Sequence, residues 1–176
     1  MIVYASDEKS LWPSMQDWIT ALYIIAPIYC ANGIPVLFGG GKPIDLGKVL
    51  PDGERLFGDH KTIRGFLSGL IGSGIVGLIE SILFATSLFQ VTILASFGAL
   101  LGDLGGAFIK RRLRIKPGEL LPVVDQLDFV VGATIAVSLL SIPTLGTIAI
   151  LFCVTPPIHL LTNFGAYKLG LKSTPW

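Results

Sequence analysis

Five long apolar stretches, separated by two polar loops and two short turns, leave this chain few ways to fold. The first covers about residues 18–38 and contains no charged side chain. The second covers about 63–86 and the third about 91–109, joined by the turn 87–90. The fourth starts near Asp128, or as early as Val123, and ends before Pro143. The fifth covers about 145–167, with an expected break at Pro156 and Pro157. Crossing the hydrocarbon of a bilayer takes about 20 residues of helix. A backbone in lipid must also satisfy its hydrogen bonds internally. The expected fold class is therefore all-α: a polytopic membrane protein of about five transmembrane helices, one membrane-embedded domain over residues 1–176. Composition agrees, since only 14% of residues are charged, against about 25% in ordinary soluble domains. The first stretch is too long for a signal-peptide core and has no basic flank, so it reads as a retained span. Cys30 and Cys153 each sit inside an apolar run and form neither a disulfide framework nor a CxxC metal pattern.

The placement of charge sets the expected topology. Of 13 Lys and Arg residues, five lie in 42–64, five in 110–116, and Lys168 and Lys172 follow the last span. The turns 87–90 and 141–147 contain none. The positive-inside rule then puts loops 39–62 and 110–127 and the C-terminus in the cytoplasm, and the N-terminus outside. Pro27, Asn32, Gly33 and Pro35 suggest a kink in the first span. Small residues recur every four positions at Gly65, Gly69, Ser73, Gly77, Ser81 and Ala85, and again at Gly98, Gly102 and Gly106. Such ridges let helix backbones approach closely, and the short turn suggests that the second and third spans pack on each other.

Both long loops face one compartment and hold most of the ionisable groups, which places the candidate active site at the cytoplasmic face. Asp103 lies inside the third span, where a carboxylate is costly and needs a partner. It shares a helix face with Lys110, so it serves either an ion pair that aids packing or a site. Asp125 and Asp128 open the fourth helix on one face, as caps or as ligands. Convergence of these three favours a metal site, and an all-oxygen ligand set suits Mg²⁺, Mn²⁺ or Ca²⁺. The run Lys110, Arg111, Arg112, Arg114, Lys116 is a topology anchor on anionic lipid or a phosphate cradle. The first loop adds glycines and cations without forming a Walker A motif. His60 reads as a solvated loop residue. Glu80 lies in the outer half of the second span and reads as protonated or bonded to a Ser or Thr. Thr155, His159, Asn163 and Tyr167 form a polar stripe on the fifth helix, which fits hydrogen bonding between helices.

Gly102-Asp103-Leu104, Lys110-Arg111, Lys116, Pro122 and Asp125-Gln126-Leu127-Asp128 together resemble the signature of CDP-diacylglycerol synthases. That signature has a Lys-Arg pair, a further lysine, a Pro-x-His-Gly-Gly segment and an Asp-Arg-x-Asp motif. Here the His-Gly-Gly is missing, Gln126 stands where that family has Arg, and Pro117 where it has Asp. These departures fit the archaeal relatives, the CDP-archaeol synthases. The Asp-Gly-x-Arg of residues 52–55, the Gly-Asp-x-Lys-Thr-x-Arg-Gly of 58–65 and the C-terminal segment 163–172, closing at Trp176, are similar to that family. The resemblance implies transfer of CMP from CTP to a geranylgeranylated glycerol 1-phosphate ether lipid, with release of pyrophosphate and a Mg²⁺ requirement. Its partners would be CTP, the isoprenoid lipid and the bilayer, with no nucleic acid. Asp103, Asp125 and Asp128 would be metal ligands or their immediate shell, and Lys110 would join them in catalysis. Lys42, Asp52, Arg55, Asp59, Lys61, Arg64, Arg111 and Lys116 would bind nucleotide or phosphate. A small transporter or channel, or a different CDP-lipid enzyme, stands as the alternative.

Overall fold

The computed structural model describes residues 12–84, 88–116 and 118–175. Five α-helices follow in order: α1 (Met15–Phe38), α2 (Ile63–Leu83), α3 (Phe89–Arg112), α4 (Val124–Ser138) and α5 (Leu145–Lys168). The described residues contain no named strand, only two isolated bridges in the α1–α2 loop, Pro43 with Thr62 and Val49 with Arg55. At about 1.5 Å per residue, the four helices of 21–24 residues reach roughly 32–36 Å, enough for a hydrocarbon core of about 30 Å. α1, α2, α3 and α5 are long and apolar enough to cross a membrane, whereas α4, with 15 residues, is short of a full span.

Local chemistry sets the helix starts. α1 begins three residues before its expected start because Ser14 and Asp17 close a capping box, with Asp17 N–H donating to Ser14 Oγ at 3.2 Å and Ser14 N–H to Asp17 Oδ2 at 2.7 Å. Thr62 caps α2 by accepting Gly65 N–H at 3.0 Å, and Thr144 caps α5 by accepting Thr147 N–H at 3.1 Å. α3 runs on to Arg112, so Lys110, Arg111 and Arg112 form its last turn instead of belonging to the loop. Cations there also suit the negative end of the helix dipole. α4 starts at Val124, the earlier of the two expected positions, which puts Asp125 and Asp128 both on the helix. The expected break at Pro156 and Pro157 is absent, and α5 is a single helix. Each proline removes one backbone donor. The turn around them is held from outside, where Tyr29 Oη of α1 donates to the Thr155 carbonyl at 3.0 Å. The expected turn at Ser87, the end of the second span at Thr86, and Ala85 of the small-residue ridge lie outside the described residues.

The core lies where α1 and α3 meet α4 and α5. Ile28, Ala95, Phe129, Val130 and Leu151 are fully enclosed, and the Tyr29 ring meets Phe129 edge-on at 5.4 Å. The α2 ridge meets α3 as expected, but it also meets α1, and the α3 ridge has a different partner. Gly98, Gly102 and Gly106 of α3 face α4, not α2. A Cβ on Gly102 would run into the Asp128 carbonyl, and one on Gly132 would meet the Gly102 backbone. Only glycine permits this approach, which brings the backbones of α3 and α4 together beside Asp103 and Asp128. The α2 ridge, Gly65, Gly69, Ser73 and Gly77, packs on both neighbours. A Cβ on Gly69 would strike the Ala31 carbonyl of α1, and one on Gly77 would strike Thr92 of α3. The opposite face of α2 exposes Leu67, Ile71, Ile75 and Ile79, as a lipid-facing helix should.

Candidate active site

The α1–α2 loop is organised by a residue that the sequence did not single out. The Asp45 side chain is fully enclosed. Its carboxylate accepts the Arg55 guanidinium and the backbone N–H groups of Gly47 at 3.1 Å, Phe57 at 3.0 Å and Gly58 at 3.1 Å. Burial alone would raise its pKa, but the Arg55 and backbone hydrogen bonds outweigh it and hold the carboxyl far below the ordinary carboxylate range. Arg55 also pairs with Asp59 at 2.7 Å. Arg112, at the end of α3, bonds Asp52 and the Arg55 carbonyl, the latter at 2.5 Å. The loop is thereby fastened over one end of the bundle.

Under it lies a cavity of about 590 Å³ lined by all five helices, both long loops and the C-terminal tail. Asp103, Asp125 and Asp128 all line it. The partner of Asp103 is not Lys110, its neighbour along the helix. Lys61, from the first loop, reaches both Asp103 carboxylate oxygens at 2.6 Å. Burial works against the Lys61 charge, yet the adjacent Asp103 carboxylate raises its pKa above the ordinary lysine value. Lys110 instead pairs with Asp125 at 2.7 Å and donates to the Glu119 carbonyl at 2.6 Å. Asp125 also accepts Leu121 N–H at 2.9 Å, fixing the turn into α4. Asp128 accepts Phe129 N–H at 2.6 Å and has no ion pair among the described residues. Arg111 lines the cavity with a buried Nε that has no hydrogen-bond partner, and it too makes no ion pair among the described residues.

The expected site residues thus divide. Asp59, Lys61, Asp103, Lys110, Arg111, Asp125 and Asp128 share the cavity. Asp52 and Arg55 do not line it but brace the loop that covers it. Lys42 and Arg64 lie together at a shallow apolar groove beside Leu67 and Ile71, away from the carboxylates. Lys116 is exposed, its N–H donating to Glu119 Oε2 at 3.1 Å. Among the described residues no three His, Cys, Asp or Glu side chains gather closely enough to hold a metal unaided. Glu80 Oε2 is buried without a hydrogen-bond partner, so this oxygen does not make the expected Ser or Thr bond. Sequence reasoning left out of the site His159, Asn163 and Lys172, which line the same cavity. The four-residue stripe pointed to the first two. The lysine's place follows from the turn after α5, marked in the sequence only by Gly170.

Fold and cavity together define the class: a helical membrane protein that gathers a cluster of opposed, half-buried charges at one end of its bundle. The chain matches the model of the CarS-like, CDP-archaeol synthase family over residues 15–176. It is 46% identical over 168 residues to the CDP-archaeol synthase of Pyrococcus furiosus, across 92% of this chain and 100% of that protein. It is 46% identical over 161 residues to the CDP-archaeol synthase of Thermofilum pendens, across 86% of this chain and 78% of that one. A solved structure of an intramembrane enzyme for archaeal membrane lipids biosynthesis superposes with a TM-score of 0.78 and 37% identity, covering 82% of this chain and 93% of the other. The chain belongs to the CDP-archaeol synthase family and is an intramembrane enzyme of membrane lipid biosynthesis.

Proposed function

We propose that the cavity transfers CMP from CTP to the phosphate of a geranylgeranylated glycerol 1-phosphate ether lipid and releases pyrophosphate, at the cytoplasmic face of the membrane. The observation that carries this reading is the meeting of Asp103, Asp125 and Asp128 with Lys61, Lys110 and Arg111 in one cavity. Carboxylates beside lysine and arginine suit a substrate that brings both phosphate charge and a cation. A lipid phosphate oxygen attacks the α-phosphorus of CTP, the bond from that phosphorus to the bridging oxygen breaks, and pyrophosphate leaves. The attacking phosphate monoester has a second pKa of about 6 and is ionised at neutral pH. The site therefore needs no strong general base. Its task is to align two anions and offset their repulsion.

The oxygen donors fit Mg²⁺, which is usually held by one or two carboxylates together with substrate phosphates. That pattern accords with a cavity whose carboxylates do not form a closed ligand set. Asp128, which makes no ion pair among the described residues, would hold the metal, with Asp103 and Asp125 contributing as their lysines turn to phosphate. The metal would offset charge on the transferring phosphate. Arg111 has nitrogen donors to spare and would bind phosphate oxygens directly. Lys61 and Lys110, each paired with a carboxylate, would follow. The apolar wall at Phe66, Leu100 and Leu104 would take the start of the isoprenoid chains from the membrane side.

The test is transfer of label. CTP carrying radiolabel on the α-phosphate should label the lipid fraction when purified protein, Mg²⁺ and the ether-lipid phosphate are combined, whereas γ-labelled CTP should label only pyrophosphate. Absence of α-label from lipid would overturn the reading. Equal labelling of diacylglycerol phosphate would overturn the ether-lipid choice alone.

A further inference from the structure

α5 ends in a turn that sends the chain back over the cavity. Gly170 takes φ of +73°, which glycine tolerates without strain. Gly170 N–H donates to the Tyr167 carbonyl at 3.0 Å and Leu171 N–H to the Ala166 carbonyl at 2.9 Å, the two bonds of a Schellman cap. Leu171, Lys172, Ser173 and Thr174 consequently form a wall of the cavity. Lys172 Nζ donates to Asn163 Oδ1 at 3.0 Å. The other end of the same amide, Asn163 Nδ2, lies 3.1 Å from Nδ1 and 3.2 Å from Nε2 of His159. His159 is itself buried and stands 5.8 Å from the Phe129 ring, next to Asp128. A chain of contacts thus runs from the packed core to an ammonium at the cavity wall.

We propose that Lys172 is a further anion-binding residue of this site, holding a phosphate of the nucleotide from the tail side, and that Asn163, oriented by His159, is its positioning residue. This deepens the cytidylyl-transfer reading and rests on it for the identity of the anion. Lys172 reaches the cavity from the tail after α5, whereas Lys61 comes from the first loop and Lys110 from α3. A polyphosphate in the cavity would be held from three separate segments. Burial and the nearby Lys61 both lower the Lys172 pKa, with Lys110 adding to this and Asp125 and Asp103 opposing it. The Asn163 amide fixes the ammonium at the cavity wall by a neutral contact. A carboxylate at position 163 would pair with the ammonium and compete with an anion for it.

The experiment uses the full chain in lipid nanodiscs and measures equilibrium binding of CTP and of inorganic pyrophosphate beside steady-state kcat and KM. Lys172→Ala should weaken both ligands by about tenfold or more, as expected for loss of a hydrogen bond to a charged group, with thermal unfolding near wild type. Lys172→Arg should restore most of the binding. Asn163→Asp, similar in shape, should weaken binding comparably although Lys172 is still present. Wild-type affinities in Lys172→Ala, or in Asn163→Asp, would overturn the proposal. Failure of Lys172→Arg to recover any binding would also overturn it, because the lysine would then act only in packing the tail. If the wild type binds pyrophosphate in a Lys172-dependent way but transfers no CMP, the functional reading fails and the anion site stands. If transfer is intact and indifferent to Lys172, the reverse holds.

Discussion

At the scale of single residues, the proposed transfer rests on opposed charge. Asp103→Asn and Asp128→Asn should each leave a folded, extractable protein that loses turnover by orders of magnitude, because both carboxylates stand where charge must be balanced in transfer. Turnover with saturating Mg²⁺ checks this, and near wild-type rates would make the cluster structural. Lys110→Ala and Arg111→Ala should lose roughly 30- to 1,000-fold in rate, about 2–4 kcal/mol of transition-state stabilisation. Lys116→Ala should be milder, since Lys116 is exposed outside the cavity. Asp45 has a different task, holding the first loop closed. Its folded pKa is depressed. The stability it supplies is therefore complete above the ordinary carboxylate value and is lost only as pH falls through the lower, folded value. Asp45 accordingly stays ionised throughout the range near pH 6 where the lipid phosphate protonates. The acid limb of the rate profile should belong to the substrate, falling about tenfold per unit below pH 6. Asp45→Asn should loosen residues 39–62 by weakening the carboxylate's bonds to Arg55 and to the Gly47, Phe57 and Gly58 N–H groups, although Arg55 keeps Asp59. Limited proteolysis at neutral pH should then cut that loop in the variant and spare it in wild type.

At the scale of helices, the α3–α4 contact matters most to the site. Gly102→Ala would set a methyl group against the Asp128 carbonyl, backbone against side chain with no room to turn. It should cost about 1–3 kcal/mol and push α4 away from α3, carrying Asp128 from Asp103. A lowered melting temperature in detergent together with a disproportionate loss of turnover is the expected outcome, and an unchanged melt would contradict the packing. The ridge at Gly98, Gly102 and Gly106 was legible in the sequence, but its partner was not. Periodicity shows that a face is smooth and does not show which neighbour it meets. The same limit explains Asp103 and Lys110. Their seven-residue spacing shows a common face, whereas the ion partners arrive from another loop and another helix, Lys61 and Asp125. The α5 prolines misled because sequence registers a missing donor and does not register Tyr29 holding the adjacent turn. Asp45 gave no signal, because its value comes from three backbone N–H groups that converge only once the loop is folded.

At the scale of the whole molecule, the apolar runs carried the fold class and the charge pattern carried an expected orientation. Five apolar stretches become five helices, four of them long enough to span. Both long loops and the tail meet at one end of the bundle around the cavity. Ser141 lies at the opposite end, between α4 and α5. Cysteine at Gly118 should be labelled by an impermeant reagent only from the cytoplasmic side, and cysteine at Ser141 only from outside. Transfer from CTP by the charges at the loop end is decided in sealed proteoliposomes that contain the ether-lipid phosphate and protein in one known orientation, with α-labelled CTP supplied to one side at a time. Labelled lipid should form only when CTP is on the side from which the Gly118 cysteine is labelled, and Asp103→Asn should abolish it. Labelled lipid formed from CTP on the Ser141 side, or formed undiminished in Asp103→Asn, would contradict the account.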